Sequence, residues 1–263
     1  MALTGGQIHL DKGHDGRVAT LTLENGTYNI VTFETRRRMR ELFAGIDADP
    51  AVRVVVIRGA GEHFTSGGDI AGFMEVAPFG LTDLGHDITA PARSPKPVIA
   101  AIDGYCFGVG LELALSADIR VATGRAQFAL PEMNLGMIPG SGGTQRLARL
   151  IGLSRAKYHV MTGTRFSARQ AADWGLVAEL ADDDADHPGA LSRITEALVT
   201  RLLGFSGAAL RTAKEVLDRG ADGPLYTGIE LERKSYAMLR STHDFAEGVA
   251  AFGEKRKPVF RHQ

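Results

Sequence analysis

Regular patterning begins at Val18–Leu23 ("VATLTL"), where threonine alternates with apolar residues and the turn signal "ENG" follows. A period of two predicts a strand. At Phe33–Ile46 the period changes. Phe33, Met39, Leu42, Phe43 and Ile46 form a stripe against a face of arginines, which predicts an amphipathic helix. Arg53–Gly59 ("RVVVIRG") is a short continuous run of apolar, largely β-branched residues, and Pro97–Ile102 ("PVIAAI") and Ala117–Thr123 ("ADIRVAT") repeat the pattern. Such runs mark strands buried on both faces. Buried strands alternating with helices imply crossover connections, and so an α/β fold with a mostly parallel sheet.

The pattern changes near residue 140. After it, one short strand near Leu176–Ala181 interrupts a series of helical segments: Gly143–Ile151, Arg155–Met161, Ala168–Trp174, Leu191–Leu203, Ala208–Arg219, Leu225–Leu239 and Asp244–Gly253. Ala181–Gly189 ("ADDDADHPG") is acidic and predicts an exposed loop. The chain therefore reads as an α/β core followed by a helical C-terminal part. No internal repeat or low-complexity segment is visible.

Composition narrows the function classes. With 263 residues, 44% hydrophobic and 23% charged, the chain can bury a sizeable core. Thirty basic residues against 31 acidic ones leave no basic excess of the kind that nucleic-acid binders carry. The single cysteine, Cys106, excludes an internal disulfide and a multi-cysteine metal site, and a reducing compartment is the simpler expectation. The start, "MALTGGQIHLDKG", has no basic segment followed by an apolar one, and no uncharged apolar run reaches the roughly 18 residues of a membrane span. A cytoplasmic protein, off the membrane, is expected.

Three glycine-bearing segments carry the candidate chemistry: "GEHFTSGGDI", "DGYCFGVGLE" and "GMIPGSGGTQRL". The first two follow buried strands, where ligands of parallel sheets bind. Neither the dinucleotide fingerprint nor the phosphate-binding glycine–lysine loop is present. Ser66 and Ser141 lack the glycine two residues earlier that a nucleophile elbow needs, and the histidines lack the two-histidine zinc pattern. What remains is a pair of turns able to aim backbone N–H groups, a helix start at Gly108–Gly110, and two glutamates, Glu112 and Glu132. That set suits a carbonyl substrate on which negative charge develops. On local pattern alone, each glutamate reads equally well as a proton carrier and as a capping or solvent-facing residue. Asp69 reads as a cap or turn residue.

"HFTSGGDI", "KPVIAAIDGYCFGVGLELALSADIRVAT", "AQFALPEMNLGMIPGSGGTQRLARLIG", "MTGTRFSARQAADWGLV" and "EGVAAFGEKRKPVF" occur in this order over nearly the whole chain. Together they resemble the crotonase superfamily, the enoyl-CoA hydratase/isomerase family. The resemblance implies an α/β crotonase-like spiral of ββα repeats, residues 1–195, with a helical C-terminal region, residues 196–263, that builds homotrimers, commonly paired into hexamers. It implies an acyl-CoA thioester as substrate, with CoA part of the substrate and no separate cofactor or metal. It implies an oxyanion hole from the backbone N–H groups of Gly68 and Val109. It places Ser66, Asp69, Ile70, Gly108, Pro139 and Gly140 along the substrate, and Phe73–Ile88 over the acyl group. Glu132 would be the main acid/base and Glu112 would orient water, although the two lie 20 positions apart.

This sequence departs from the family pattern at several points. Gly68 stands where alanine is usual, Val109 where glycine is usual, and Asp103 where asparagine is usual. "NGTYNIV" lacks the basic residue often set against CoA phosphates, and Lys255, Arg256 and Lys257 read either as its substitute or as a solvated basic face. Retention of both glutamates favours enoyl-CoA hydration. Δ3–Δ2-enoyl isomerisation, hydrolase or lyase chemistry on the same scaffold, and a noncatalytic acyl-CoA-binding subunit are the alternatives.

Overall fold

The computed structural model describes residues 7–75, 80–181 and 189–262. The chain opens with an antiparallel hairpin, β1 (Gln7–Gly13) and β2 (Val18–Glu24). Then come α1 (Phe33–Ala48), β3 (Val54–Gly59), α2 (Gly80–Ile88), β4 (Val98–Ile102), β5 (Tyr105–Phe107), α3 (Val109–Ser116), β6 (Ile119–Thr123) and β7 (Gln127–Ala129). The chain continues through α4 (Gly143–Ile151), α5 (Leu153–Thr162), β8 (Phe166–Ser167), α6 (Ala168–Asp173), β9 (Glu179–Ala181), α7 (Ala190–Leu203), α8 (Gly207–Ala221), α9 (Leu225–Leu239) and α10 (His243–Gly253).

The large sheet has the order β1-β2-β3-β4-β6-β9 and is parallel from β2 onward. A small sheet, β5-β7-β8, lies beside it. The chain therefore repeats one unit: a strand in the large sheet, a strand in the small sheet, then a helix. β4-β5-α3 is one such turn and β6-β7-α4 the next. This is the expected spiral of ββα repeats.

Alternation explains why the central strands look uniformly apolar. Val55 and Ile57 join the main core with Met39, Phe43 and Leu111, while Val54, Val56, Ile99 and Val121 face the other way. Val199 and Leu202 of α7 cover that second face. The boundary expected at residues 195 and 196 falls inside α7, and Leu191 and Ile194 on one side of it pack with Val199 and Leu202 on the other.

Four strands, β1, β5, β7 and the two-residue β8, escape the sequence pattern. In β1 only Ile8 is buried, so no alternation shows. β5 and β7 have three residues each, too few to display a period, and β5 lies within one of the glycine segments. Residues 182–188 of the acidic stretch and 76–79 of the expected acyl cover lie outside the described residues.

Polar ties join the helical region to the sheet. The Lys214 ammonium of α8 donates to Asp118 Oδ2 (2.8 Å) and to the carbonyls of Pro91 and Lys96 (both 3.2 Å). The same Asp118 oxygen accepts from Val98 N–H at 2.7 Å, at the start of β4. Asp103 receives Arg125 through two bonds (2.7 and 2.6 Å), together with the Thr123 hydroxyl and Gly104 N–H. It is a structural anchor.

The contact that sets the site is tight. A Cβ placed on Gly110 would stand 2.3 Å from Thr65 Cγ2, so only glycine lets α3 press on the segment after β3. Gly110→Ala is expected to destabilise the fold by about 1–3 kcal/mol through overpacking. Gly124→Ala, with nothing within 4 Å, serves as the control and leaves the urea midpoint nearly unmoved.

Candidate active site

Two turns bring unpaired amides together. Residues 64–67 run beside β5: Phe64 N–H donates to Asp103 O, Thr65 N–H to Tyr105 O, and Phe107 N–H back to Thr65 O. Val31 then clamps the next residues, donating to Gly67 O (2.9 Å) and accepting from Asp69 N–H (3.1 Å). Every peptide bond here is trans, so Gly68 N–H points opposite to Gly67 C=O, away from Val31. Among the described residues no acceptor takes it up.

The second amide follows from helix geometry. Gly108 N–H donates to Ala129 O, and Gly108 C=O accepts the first bond of α3 from Glu112 N–H at 3.0 Å. Val109 N–H therefore points out of the helix N-terminus, where amides lack an intrahelical partner and the dipole favours negative charge. Gly108 sits at φ 52°, a conformation that suits glycine. A Cβ on it would lie 4.0 Å from Gly67 Cα and 3.2 Å from Glu132 Oε1. The two turns touch, and the Glu132 carboxylate lies against the joint.

The glutamates occupy contrasting settings. Glu112, in the first turn of α3, is 2% exposed. Its Oε1 accepts from Ser141 N–H (2.6 Å) and Gly143 N–H (2.9 Å), which caps the start of α4. Burial raises its pKa, and those amides, with Arg36, oppose the rise. Glu132 follows Pro131 in a 3-10 turn, Glu132–Leu135. Its Oε2 is buried with no hydrogen-bond partner. Burial, with the Glu112 charge adding to it, pushes Glu132 up to about 7.

The remaining expected residues fall around this joint. Pro139 is buried beside Glu112, since a Cβ on Gly143 would meet Pro139 Cβ and Glu112 Oε1 at 3.0 Å each. Gly140 O packs against Gly85 of α2. Ser66 N–H is bonded to Tyr28 O, and Ile70, 57% exposed, stands at the surface just beyond Gly68 and Asp69. The Asp69 carboxylate lies against the following turn, its Oδ2 2.9 Å from the Cβ position of Gly72. Of the basic trio, Arg256 is engaged by Glu247 (2.6 and 3.0 Å) and by Glu254 (2.5 Å).

Sequence patterning missed Arg36. Assigned to the solvent face of α1, it is 5% exposed. The signal was its position three residues from both Phe33 and Met39, on the apolar stripe. Its guanidinium lies 5.7 Å from the Phe73 ring centre, and one terminal nitrogen is 3.5 Å from the Cβ position of Gly68. Burial lowers its pKa, while the Glu112 and Glu132 charges raise it.

Buried donors at a helix start and two carboxyls in unlike environments suit acyl-transfer or enolate chemistry. Comparison with known proteins is consistent with that. The enoyl-CoA hydratase/isomerase family model matches residues 13–263. An enoyl-CoA isomerase/hydratase of Mycosarcoma maydis is 39% identical over 219 residues, 81% of this chain and 77% of its own. A carnitinyl-CoA dehydratase of Salmonella typhi is 35% identical, covering 97% of this chain and 98% of its own. The crystal structure of an enoyl-CoA hydratase from Bacillus anthracis superimposes with a TM-score of 0.90 at 32% identity, over 97% of this chain and 99% of that one. The chain belongs to the enoyl-CoA hydratase/isomerase family, whose members act on acyl-CoA thioesters.

Proposed function

We propose that the protein hydrates trans-2-enoyl-CoA thioesters. The observation that carries this reading is the pairing of an amide-anchored Glu112 with a Glu132 whose Oε2 is buried without a hydrogen-bond partner, a setting in which burial pushes the carboxyl up to about 7. A group with that pKa gives and takes a proton near neutral pH with little cost in either direction.

In the reaction, the Gly68 and Val109 N–H groups hold the thioester oxygen as negative charge gathers there. Water adds its oxygen to C3. Glu132 takes one of the water's protons and passes a proton to C2, so the product carries a hydroxyl at C3 and a new hydrogen at C2. Glu112 holds the attacking water. Two amides fix its Oε1, so its position is set before substrate arrives, which lowers the ordering cost of the transition state. Ser66, Asp69, Ile70, Gly108, Pro139 and Gly140 shape the walls of the substrate site. No resident cofactor enters the scheme.

The helical region supports association. Leu217, Leu225, Tyr226, Tyr236 and Met238 on α8 and α9 are each at least 64% exposed. Apolar exposure on that scale marks a protein interface. A homotrimer, or a hexamer of two trimers, would cover it.

Four outcomes are expected. For the wild type with crotonyl-CoA, kcat/KM for hydration rises with pH through an apparent pKa near 7, because Glu132 must be ionised to accept the proton of water. Glu132→Gln lowers kcat by about 10²- to 10⁴-fold, and a near-wild-type rate in the stopped assay of conjugated-thioester absorbance removes Glu132 from the mechanism. Glu112→Gln keeps an oxygen for the two amides, so it abolishes hydration while leaving part of the deuterium exchange at C2. Equal retention of both activities makes Glu112 purely structural. Sedimentation equilibrium is expected to return three or six times the 28.1 kDa chain mass, and a monomer refutes the association.

A further inference from the structure

Arg36 is a cation without an anion. Its side chain is 95% buried, the complement of its 5% exposure, and Nε has no hydrogen-bond partner. Among the described residues no carboxylate lies within ion-pair distance and no carbonyl accepts from the guanidinium. Glu112, the buried carboxylate of the site, is already committed to the amides of Ser141 and Gly143. Burying an unpaired charge is costly, and a protein that keeps one supplies its counter-ion from elsewhere. The Phe73 ring, itself set edge-on to Phe33 (82°, 5.5 Å), gives only a weak cation–π partner.

The guanidinium stands where an acyl group would pass. Its terminal nitrogen and the Phe73 ring lie 3.5 and 3.4 Å from the Cβ position of Gly68, whose amide faces the proposed thioester oxygen. An oxyanion at that point already has two backbone donors. A guanidinium offers a planar fork of N–H groups, which matches the two oxygens of a carboxylate better than a single oxygen. Both anchors sit at Gly68, so the chain between thioester and anion is short. A long chain would carry its charge past Arg36.

We propose that Arg36 binds a carboxylate at the far end of a short-chain acyl group, making the preferred substrates CoA thioesters of short dicarboxylic acids. This rests on the acyl-CoA site described above. It adds a specificity-determining residue that neither the glutamates nor the amides supply. The carboxylate neutralises Arg36 on binding, so the affinity gained includes relief of a buried unpaired charge.

Calorimetric titration of the wild-type protein with glutaryl-CoA and valeryl-CoA tests this directly, because the two saturated esters match in chain length and differ in the terminal carboxylate. Glutaryl-CoA is expected to bind at least tenfold tighter. Arg36→Met is expected to bring the ratio of the two affinities to about one, and Arg36→Lys, which keeps the charge without the fork, to an intermediate value. Equal wild-type affinities overturn the proposal, as does a preference that survives in Arg36→Met. The wild-type comparison decides even where the Met variant fails to fold. Binding of neither ester is a different failure: it removes the acyl-CoA site itself, and this inference with it.

Discussion

One carboxylate oxygen joins the two halves of the site. Glu112 Oε1 receives the amides of Ser141 and Gly143, and so ties the first turn of α3 to the start of α4. Both helices close ββα turns of the spiral; backbone pairing of β4 with β6 and of β5 with β7 joins those turns, and this side-chain bond adds a tie between their helices. The bond needs α3 close to the chain, which in turn needs glycine at position 110 against Thr65. Burial works against the charge of Glu112, and the amides offset that cost where water cannot. The residue therefore has a structural role, capping α4, and the proposed hydration would use the same carboxylate.

Around that joint, charge is distributed unevenly. Glu112 is saturated on one oxygen, Glu132 has a buried oxygen with no partner, and Arg36 has a buried nitrogen with none. Unpartnered buried polar atoms are rare in folded proteins because each forfeits its hydration. Here the two that occur among the described residues carry opposite charge and influence one another, yet no bond joins them. The two proposals above assign these atoms to a guest, Glu132 to its proton transfer and Arg36 to its anion. The fold holds that frustration in place because the backbone on either side is tied down by Val31 and Ala129.

Much of this was legible in the residues themselves. β3, β4 and β6 announced themselves as apolar runs because both of their faces are covered, and α4 and α9 fall where their periodicity puts them. Glu112 and Glu132 stood out as carboxylates in apolar, glycine-rich surroundings. β5 and β7 did not, since a three-residue strand pairs through backbone and leaves no side-chain period. Arg36 was misjudged for a different reason. Three consecutive arginines look like a solvated face, although helical spacing places the first of them on the apolar stripe. Asp103 shows the converse case, a departure from the family pattern that turns out to bind Arg125. Whether a residue's polar atoms are paired depends on contacts remote in sequence, and pattern alone does not reach them.

The Lys214–Asp118 tie bears on how the chain can be divided. Asp118 sits at the foot of β6, with its Oδ2 shared between Val98 N–H and the Lys214 ammonium. Burial already works against its ionisation, and Lys214 is the main opposing charge. A core fragment cut before α8 would leave that acid without its main counter-charge, with only Arg120 nearby, and would open the carbonyls of Pro91 and Lys96 as well. The helices at the end of the chain are thus electrostatic ballast for the strands, and grafting or trimming them cannot be done without rewriting residue 118.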